Sequence, residues 1–232
     1  MSSGSYNFTM SASDIVQAAL RSTGRFGTTD VIGSTDLNNC LQALNIIVKA
    51  LVKNQKPLWC VQRITVPLLA GTNPYNLSLI TGQTLPLRVL FAFIRDAANN
   101  DVSVALVSRS DYATLGQKLA TGVTNQIYYD PQLGQGTLYV YNVPATSTYT
   151  LYVDIQRQIQ DFDLLTDNPD FPQEAFHMLK WMLLDEIALE YVVPQDMRAD
   201  IARKAAGAYE NFFAEEREEV STYLTPSERM AR

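Results

Sequence analysis

Four aspartates within residues 161–170 are the best candidates in this sequence for acid and base chemistry. Asp161 and Asp163 are two positions apart, and Asp167 and Asp170 are three apart. Glycoside hydrolysis uses two carboxyl groups at a defined separation, one of them with a raised pKa. Aspartates in polar, turn-rich segments more often accept hydrogen bonds in turns and helix caps. We therefore expect a structural role, with a cell-wall glycoside hydrolase as the alternative.

Other catalytic chemistry finds little support. The single histidine, His177, lies in an apolar segment, and the sequence has neither a zinc-binding motif nor a phosphate-binding or dinucleotide-binding glycine motif. Two cysteines, Cys40 and Cys60, are too few for a disulfide framework, and we expect both to be buried. We expect no catalytic residue, no metal and no cofactor.

Tyrosine is concentrated in residues 128–152, which hold six of the twelve tyrosines. Such rings could stack on bases or sugars, and a sugar-binding module is part of the same alternative. A platform for bases normally accompanies a basic groove, whereas residues 57–158 have six basic and five acidic residues. Packing in a core or an interface is the favoured role for these tyrosines.

Two helices are predicted before residue 57. The first begins near Ser11, because Ser11 and Asp14 have the spacing of a helix-capping pair. The second follows residues 34–36 and ends near Lys53. Its apolar positions recur at intervals of three and four, typical of a helix with one buried face. They are Leu37, Cys40, Leu41, Leu44, Ile47, Val48 and Leu51.

Residues 57–160 read mainly as strands. The predicted strands are 59–69, 87–95, 102–107, 126–129, 137–142 and 149–156. The last two are predicted to form a hairpin around residues 143–147. A short helix is expected from Ser108 to about Leu115.

Two more helices are predicted after a polar linker at residues 161–170. Pro172 suits the first turn of the third helix, and Pro194 opens the fourth. The third helix has an apolar stripe made of Phe176, Leu179, Leu183, Ile187 and Tyr191. The predicted inner face of the fourth is Met197, Ile201, Ala205, Ala208 and Phe212.

The expected fold class is α+β, with an antiparallel β-rich domain inserted into a helical module that the N-terminal and C-terminal helix pairs form together. The predicted boundaries are 1–56 and 161–220 for the helical module, 57–160 for the β-rich domain and 221–232 for an extended C-terminal tail.

Negative charge is concentrated in the C-terminal helices. The formal net charge is -6. Residues 1–170 have 12 acidic and 11 basic residues with no glutamate, whereas residues 171–220 have 11 acidic and 5 basic residues. This balance argues against non-specific binding to nucleic acid or to an anionic membrane. No targeting segment or membrane span is predicted.

The order and spacing of short motifs over residues 11–220 resemble the head-to-tail connector adaptors of tailed bacteriophages, the tail tubular protein A-like or tail accessory factor family. Asp14-Ile-Val-Gln-Ala-Ala-Leu20 opens the first helix, Leu41-Gln-Ala-Leu-Asn-Ile-Ile47 lies in the second, and Asp170-Phe-Pro-Gln-Glu174 leads into the third. The others are Leu58-Trp59, Val66-Pro-Leu-Leu-Ala-Gly71, Leu106-Val-Ser-Arg-Ser-Asp-Tyr112, Tyr128-Tyr-Asp-Pro-Gln132 and Gly136-Thr-Leu-Tyr-Val140.

This resemblance implies a structural virion protein of the neck, made in the cytoplasm of the bacterial host, without catalysis. It implies binding to the portal protein, a dodecameric ring of identical subunits, and an extended DNA channel that helps to retain packaged DNA without sequence-specific binding. The distal partners would be a tail nozzle or tube protein, with tail fibres or spikes. Another tail-completion or tail-tube component is a further alternative.

Two sets of residues are expected to carry this function. Acidic side chains of the last two helices are expected to line the channel or to lie between subunits: Glu186, Glu190, Asp196, Glu215 and Glu216. The C-terminal tail is expected to contact the portal through Tyr223, Leu224, Met230 and Arg232.

Overall fold

The computed structural model describes residues 4–54, 57–77, 85–132 and 134–215. These ranges contain five α-helices and ten strands, so the α+β class is confirmed. The helices are α1 Ala12–Ser22, α2 Ser34–Asn54, α3 Arg109–Thr114, α4 Ala175–Ile187 and α5 Gln195–Glu215. The strands are β1 Val61–Pro67, β2 Tyr75–Asn76, β3 Arg88–Arg95, β4 Asp101–Ser103, β5 Ala105–Leu106, β6 Thr121–Gly122, β7 Gln126–Gln132, β8 Gln135–Tyr141, β9 Val143–Pro144 and β10 Thr150–Gln156.

Two helices begin with the same local device. Ser11 caps α1 and Ser108 caps α3. In each, the serine hydroxyl accepts from the backbone N–H three residues on, and the aspartate there, Asp14 or Asp111, accepts from the backbone N–H of the serine. These capping boxes satisfy N–H groups that have no partner inside the helix. The predicted starts of both helices are confirmed.

The longer strands form two four-stranded sheets. One has the order β1-β10-β3-β4 and is antiparallel throughout, and the other has the order β2-β8-β7-β5. Their buried side chains form one cluster that includes Val66, Ile94, Leu138, Val140 and Leu151. The prediction of purely antiparallel pairing is corrected at two short places, because β5 pairs with β7 in parallel and β6 pairs with β9 in parallel.

The predicted hairpin of residues 137–142 and 149–156 is wrong. β8 is instead the antiparallel partner of β7, and β10 lies between β1 and β3 in the other sheet. Residues 143–149 carry the chain from one sheet to the other, and the backbone N–H of Val143 donates to the carbonyl of Ala120 at 2.9 Å. A turn-like composition between two strands therefore marks a crossover here and not a hairpin.

A second hydrophobic cluster joins side chains of α1, α2, α4 and α5. Its members include Leu20, Leu44, Leu179 and Leu183, together with Cys60 and Ile159 from the chain around β1 and β10. Met197 is a correction, since 41% of it is exposed although the helical period predicts an inner position. The division into an inserted β-rich domain and a helical module stays a prediction.

Candidate functional site

The aspartates of residues 161–170 are held in structural contacts. Asp161 forms an ion pair with Lys49 of α2, and Asp170 accepts two hydrogen bonds from Arg157. The carboxylate of Asp167 accepts from the backbone N–H groups of Asp163 and Leu164 at 2.9 and 2.7 Å. Three of the four carboxylates thus fix the loop to its surroundings. This is the structural role that the turn-rich sequence predicts.

Three tyrosines that could have formed a stacking platform pack on one another. The ring centres of Tyr112, Tyr128 and Tyr139 are 5.3 to 5.7 Å apart, and Tyr112 and Tyr128 are buried. Arg109 donates to the Tyr128 hydroxyl at 2.8 Å and pairs with Asp130. Asp130 neutralises Arg109, and the ammonium group of Lys118, 5.9 Å from the centre of the Tyr112 ring, donates to the backbone carbonyls of Ala113 and Leu115. Both cations beside these rings are thus held by contacts within the chain.

The single histidine and both cysteines have ordinary structural surroundings. His177 is exposed and accepts a hydrogen bond from Trp181 Nε1 at 3.0 Å. Cys40 and Cys60 are both buried, as expected, and burial raises the pKa of the Cys40 thiol.

Within the four described ranges, no three His, Cys, Asp or Glu side chains are grouped so that they could hold a metal ion. Of the helices in the same ranges, none combines the length and the apolar character that crossing a membrane requires.

The outer face of the first sheet carries charged and aromatic side chains that sequence reasoning missed. Phe93 and Tyr152 stack with their ring centres 4.9 Å apart. Arg63 lies over the Phe93 ring and Arg95 over the Tyr152 ring, at 5.2 and 4.9 Å from the ring centres. Each arginine also forms two hydrogen bonds with an aspartate opposite it in the sheet, Asp154 and Asp101. The alternation of side chains along β1 and β3 is the sequence signal that could have predicted which of these residues share a face. The charges on this face balance one another within the chain.

The acidic side chains predicted on the last two helices have a different environment. Glu186 lies near the end of α4, Glu190 in the turn after it, and Asp196 in the first turn of α5. All three are exposed, and across the part of the chain that the structure describes none has a hydrogen-bonding or ionic partner. The same holds for Asp185 and Glu210. The exception on α4–α5 is the exposed pair Asp200–Arg203.

The turn between α4 and α5 is fixed to α2 by a partly buried chain of polar contacts. The Tyr191 hydroxyl donates to Asp36 at 2.9 Å, and the Cys40 thiol lies 3.8 Å from the same hydroxyl. Burial, with the bonds to Asp36 and Cys40, raises the pKa of Tyr191. The turn therefore holds Glu190 in a defined position on the surface.

The remaining predicted residues cannot be placed. Glu215 is the last residue of α5, and its side chain lies outside the described part of the structure. Glu216 and the predicted portal-binding residues Tyr223, Leu224, Met230 and Arg232 also lie outside the described residues. What the structure does bring together is Glu186, Glu190 and Asp196, on one helical hairpin.

Comparison with known proteins identifies one family. A family model described as SU10 adaptor protein matches residues 10–231, which is nearly the whole chain. No curated protein matches the sequence.

Proposed function

The chain belongs to the SU10 adaptor protein family, a family of phage head-to-tail adaptors, and from this premise we propose that it binds the portal and extends the DNA channel as a dodecameric ring. The ring would lie in the virion neck, help to retain packaged DNA, and provide a platform for the tail nozzle or tube and for fibres or spikes. The helical pairs would act in it as one module around the β-rich part.

The observation that carries this proposal, besides family membership, is the set of unpaired carboxylates on α4 and α5. Exposed carboxylates that line a channel repel DNA phosphates, so that the genome slides without sticking. Glu186, Glu190 and Asp196 suit either this role or a contact between subunits, and Glu215 and Glu216 continue the acidic sequence. Because these carboxylates have no partner in the described part of the chain, their charge is available to act on DNA or on another subunit.

The C-terminal tail, residues 221–232, is proposed as the anchor on the portal. Support comes from the sequence and the family: the match extends to residue 231, and Tyr223, Leu224 and Met230 are apolar side chains in an otherwise polar segment. Arg232 would add a cationic contact. Deleting residues 221–232 is expected to weaken portal binding and to leave the fold intact.

No observation favours the hydrolase alternative. The SU10 adaptor family is not a known enzyme family. Asp161 is paired with Lys49 and Asp170 with Arg157, so contacts within the chain occupy both carboxylates. A glycosidase instead presents two carboxyl groups to the bound sugar at a defined separation.

The test is the mass of the purified chain by light scattering, alone and after mixing with the portal protein of the same phage. A discrete complex with about twelve added copies per portal ring supports the adaptor proposal. A chain that leaves the portal mass unchanged contradicts it and favours a distal tail component.

A further inference from the structure

A surface on α4 and α5 combines an aromatic ring with two cations. The ring of Trp181 packs against the helical core on one side. The ammonium groups of Lys180 and Lys204 lie 5.2 and 4.6 Å from its centre. Neither lysine has a carboxylate partner anywhere in the described ranges, although these helices are rich in acid. We name Lys180, Trp181 and Lys204 the Trp181 platform.

The turn between the same helices presents the complementary character. Leu189 and Val192 are 69% and 72% exposed, and Glu190 and Asp196 beside them are the unpaired carboxylates. Arg25 lines the same cleft as Glu190, yet the described residues include no ion pair between the two. We name Leu189, Glu190, Val192 and Asp196 the acidic turn.

Val192 fixes the shape of this turn. Its φ is 50°, a left-handed conformation that is strained for a β-branched residue. Glycine or asparagine would fit this position with less strain. This left-handed residue ends the helix, because the N–H of Val193 donates to the carbonyl of Ala188 at 3.0 Å and the N–H of Val192 to that of Leu189 at 3.2 Å, the Schellman pattern. The motif leaves the valine side chain exposed at the tip of the turn.

The two surfaces match in spacing as well as in charge. Trp181 and Lys204 face each other across the hairpin, and both helices lead from there to the turn. At 1.5 Å per helical residue, Glu190 lies roughly 14 Å beyond Trp181, and Asp196 roughly 12 Å beyond Lys204. Glu190 and Asp196 thus lie at similar heights at one end of the hairpin, and Trp181 and Lys204 at similar heights further along it. A neighbouring copy whose turn reaches the height of Trp181 brings both carboxylates to the level of the two ammonium groups.

We propose that copies of this chain contact one another through these surfaces, with the acidic turn of one copy on the Trp181 platform of the next. The inference rests on the proposed ring and names the contact that builds it. Such a contact joins two different patches, so it repeats from copy to copy and closes into a ring when the rotation allows. Leu189 and Val192 would cover the Trp181 ring while the carboxylates meet the ammonium groups.

Disulfide trapping in the full-length chain tests the contact directly. Because Cys40 and Cys60 are buried, new cysteines at the partly exposed position 180 and the exposed position 192 are the reactive ones. The double variant Lys180→Cys/Val192→Cys is expected to give a ladder of dimers, trimers and larger species on mild oxidation. Each single variant is expected to stop at a dimer. A double variant that also stops at dimers overturns the proposal.

Charge reversal tests the chemistry of the same contact. In the cysteine background, Glu190→Lys/Asp196→Lys is expected to reduce the ladder at least tenfold, and adding Lys204→Glu is expected to recover a large part of it. Asp163→Lys is the matched control, because Asp163 is an exposed carboxylate without a side-chain partner in the described chain. Equal loss in the control, or no recovery, contradicts the proposed pairing.

Val192→Gly tests the contact with a residue that suits the left-handed position. It relieves the left-handed strain, so its stability is expected to equal or exceed that of the wild type, while self-association falls several-fold.

Portal binding of the cysteine double variant is measured in parallel by light scattering. A full ring on the portal with no trapped ladder overturns this inference and leaves the adaptor function standing. A ladder without portal binding overturns the adaptor function and leaves this contact standing.

Discussion

Carboxylates before residue 171 and carboxylates on α4 and α5 differ in whether the chain itself uses their charge. Of the twelve aspartates in residues 1–170, all except Asp163 accept a hydrogen bond or form an ion pair in the structure. On α4 and α5, over the residues whose side chains are described, only Asp200 has a partner. The first group holds the fold together, and the second is free to act on something outside the chain.

The cations show the same contrast. Arg63 and Arg95 lie over aromatic rings and are also paired with aspartates, so the positive charges on that face of the sheet are neutralised. Lys180 and Lys204 lie over the Trp181 ring and, in the described part of the chain, have no carboxylate. Cations lie over aromatic rings at both places. Their charge is neutralised by aspartates at the first place and, among the described residues, not at the second.

Breaking a paired carboxylate is expected to have the largest effect on the fold. Asp170→Ala leaves the half-buried Arg157 without its ion pair and removes the acceptor of the Gln160 N–H. We expect a loss of about 2 kcal/mol in the free energy of unfolding, measured by urea denaturation. The control is Asp163→Ala in the same loop, which is expected to change stability by less than about 0.5 kcal/mol. Equal losses of unfolding free energy in the two variants would contradict the distinction between carboxylates with and without a partner in the chain.

Removing a cap is expected to have an intermediate effect. Ser11→Ala deletes the hydroxyl that accepts the Asp14 N–H at the start of α1. The expected loss is about 1 kcal/mol in the free energy of unfolding. Ser11→Asp keeps an acceptor and serves as the matched control, with a loss well below that of alanine. A full loss in the aspartate variant would show that something other than the cap is responsible.

Acid is expected to lower the stability of the fold through three aspartates of the region before residue 171. Hydrogen bonds from Ser11 to Asp14, from Asn100 to Asp96, and from Arg95 to Asp101 lower the pKa of each carboxyl. A lowered folded-state pKa gives stability that is present above about pH 4 and is lost as the pH falls through the folded value. Urea midpoints are expected to fall between pH 5 and pH 3, and less steeply in Asp101→Asn. The same slope in both proteins would contradict the assigned cause.

Local features of this fold could be predicted from the sequence. The caps at Ser11 and Ser108 depend on residues three positions apart, and the buried faces of α2 and α4 follow from the helical period. The burial of Cys40 and Cys60 followed in the same way from the apolar pattern around them.

Long-range features could not be predicted. The assignment of β8 and β10 to different sheets depends on pairing with β7 and β1, which no local turn signal encodes. Met197 follows the helical period, yet it lies in the first turn of α5 and remains exposed. The ion pair of Asp161 with Lys49 joins a loop to a distant helix. The platform around Trp181 likewise forms only when α4 and α5 pack together.

The most direct test of the central claim is one assembly measurement on the variant Glu186→Gln/Glu190→Gln/Asp196→Asn. These three carboxylates have no partner in the described chain, so the variant is expected to unfold within about 0.5 kcal/mol of the wild type. Native mass spectrometry of each protein mixed with the portal then counts the bound copies. We expect a complete ring for the wild type and incomplete occupancy for the variant. Complete rings for both would show that the free carboxylates of α4 and α5 do not serve assembly.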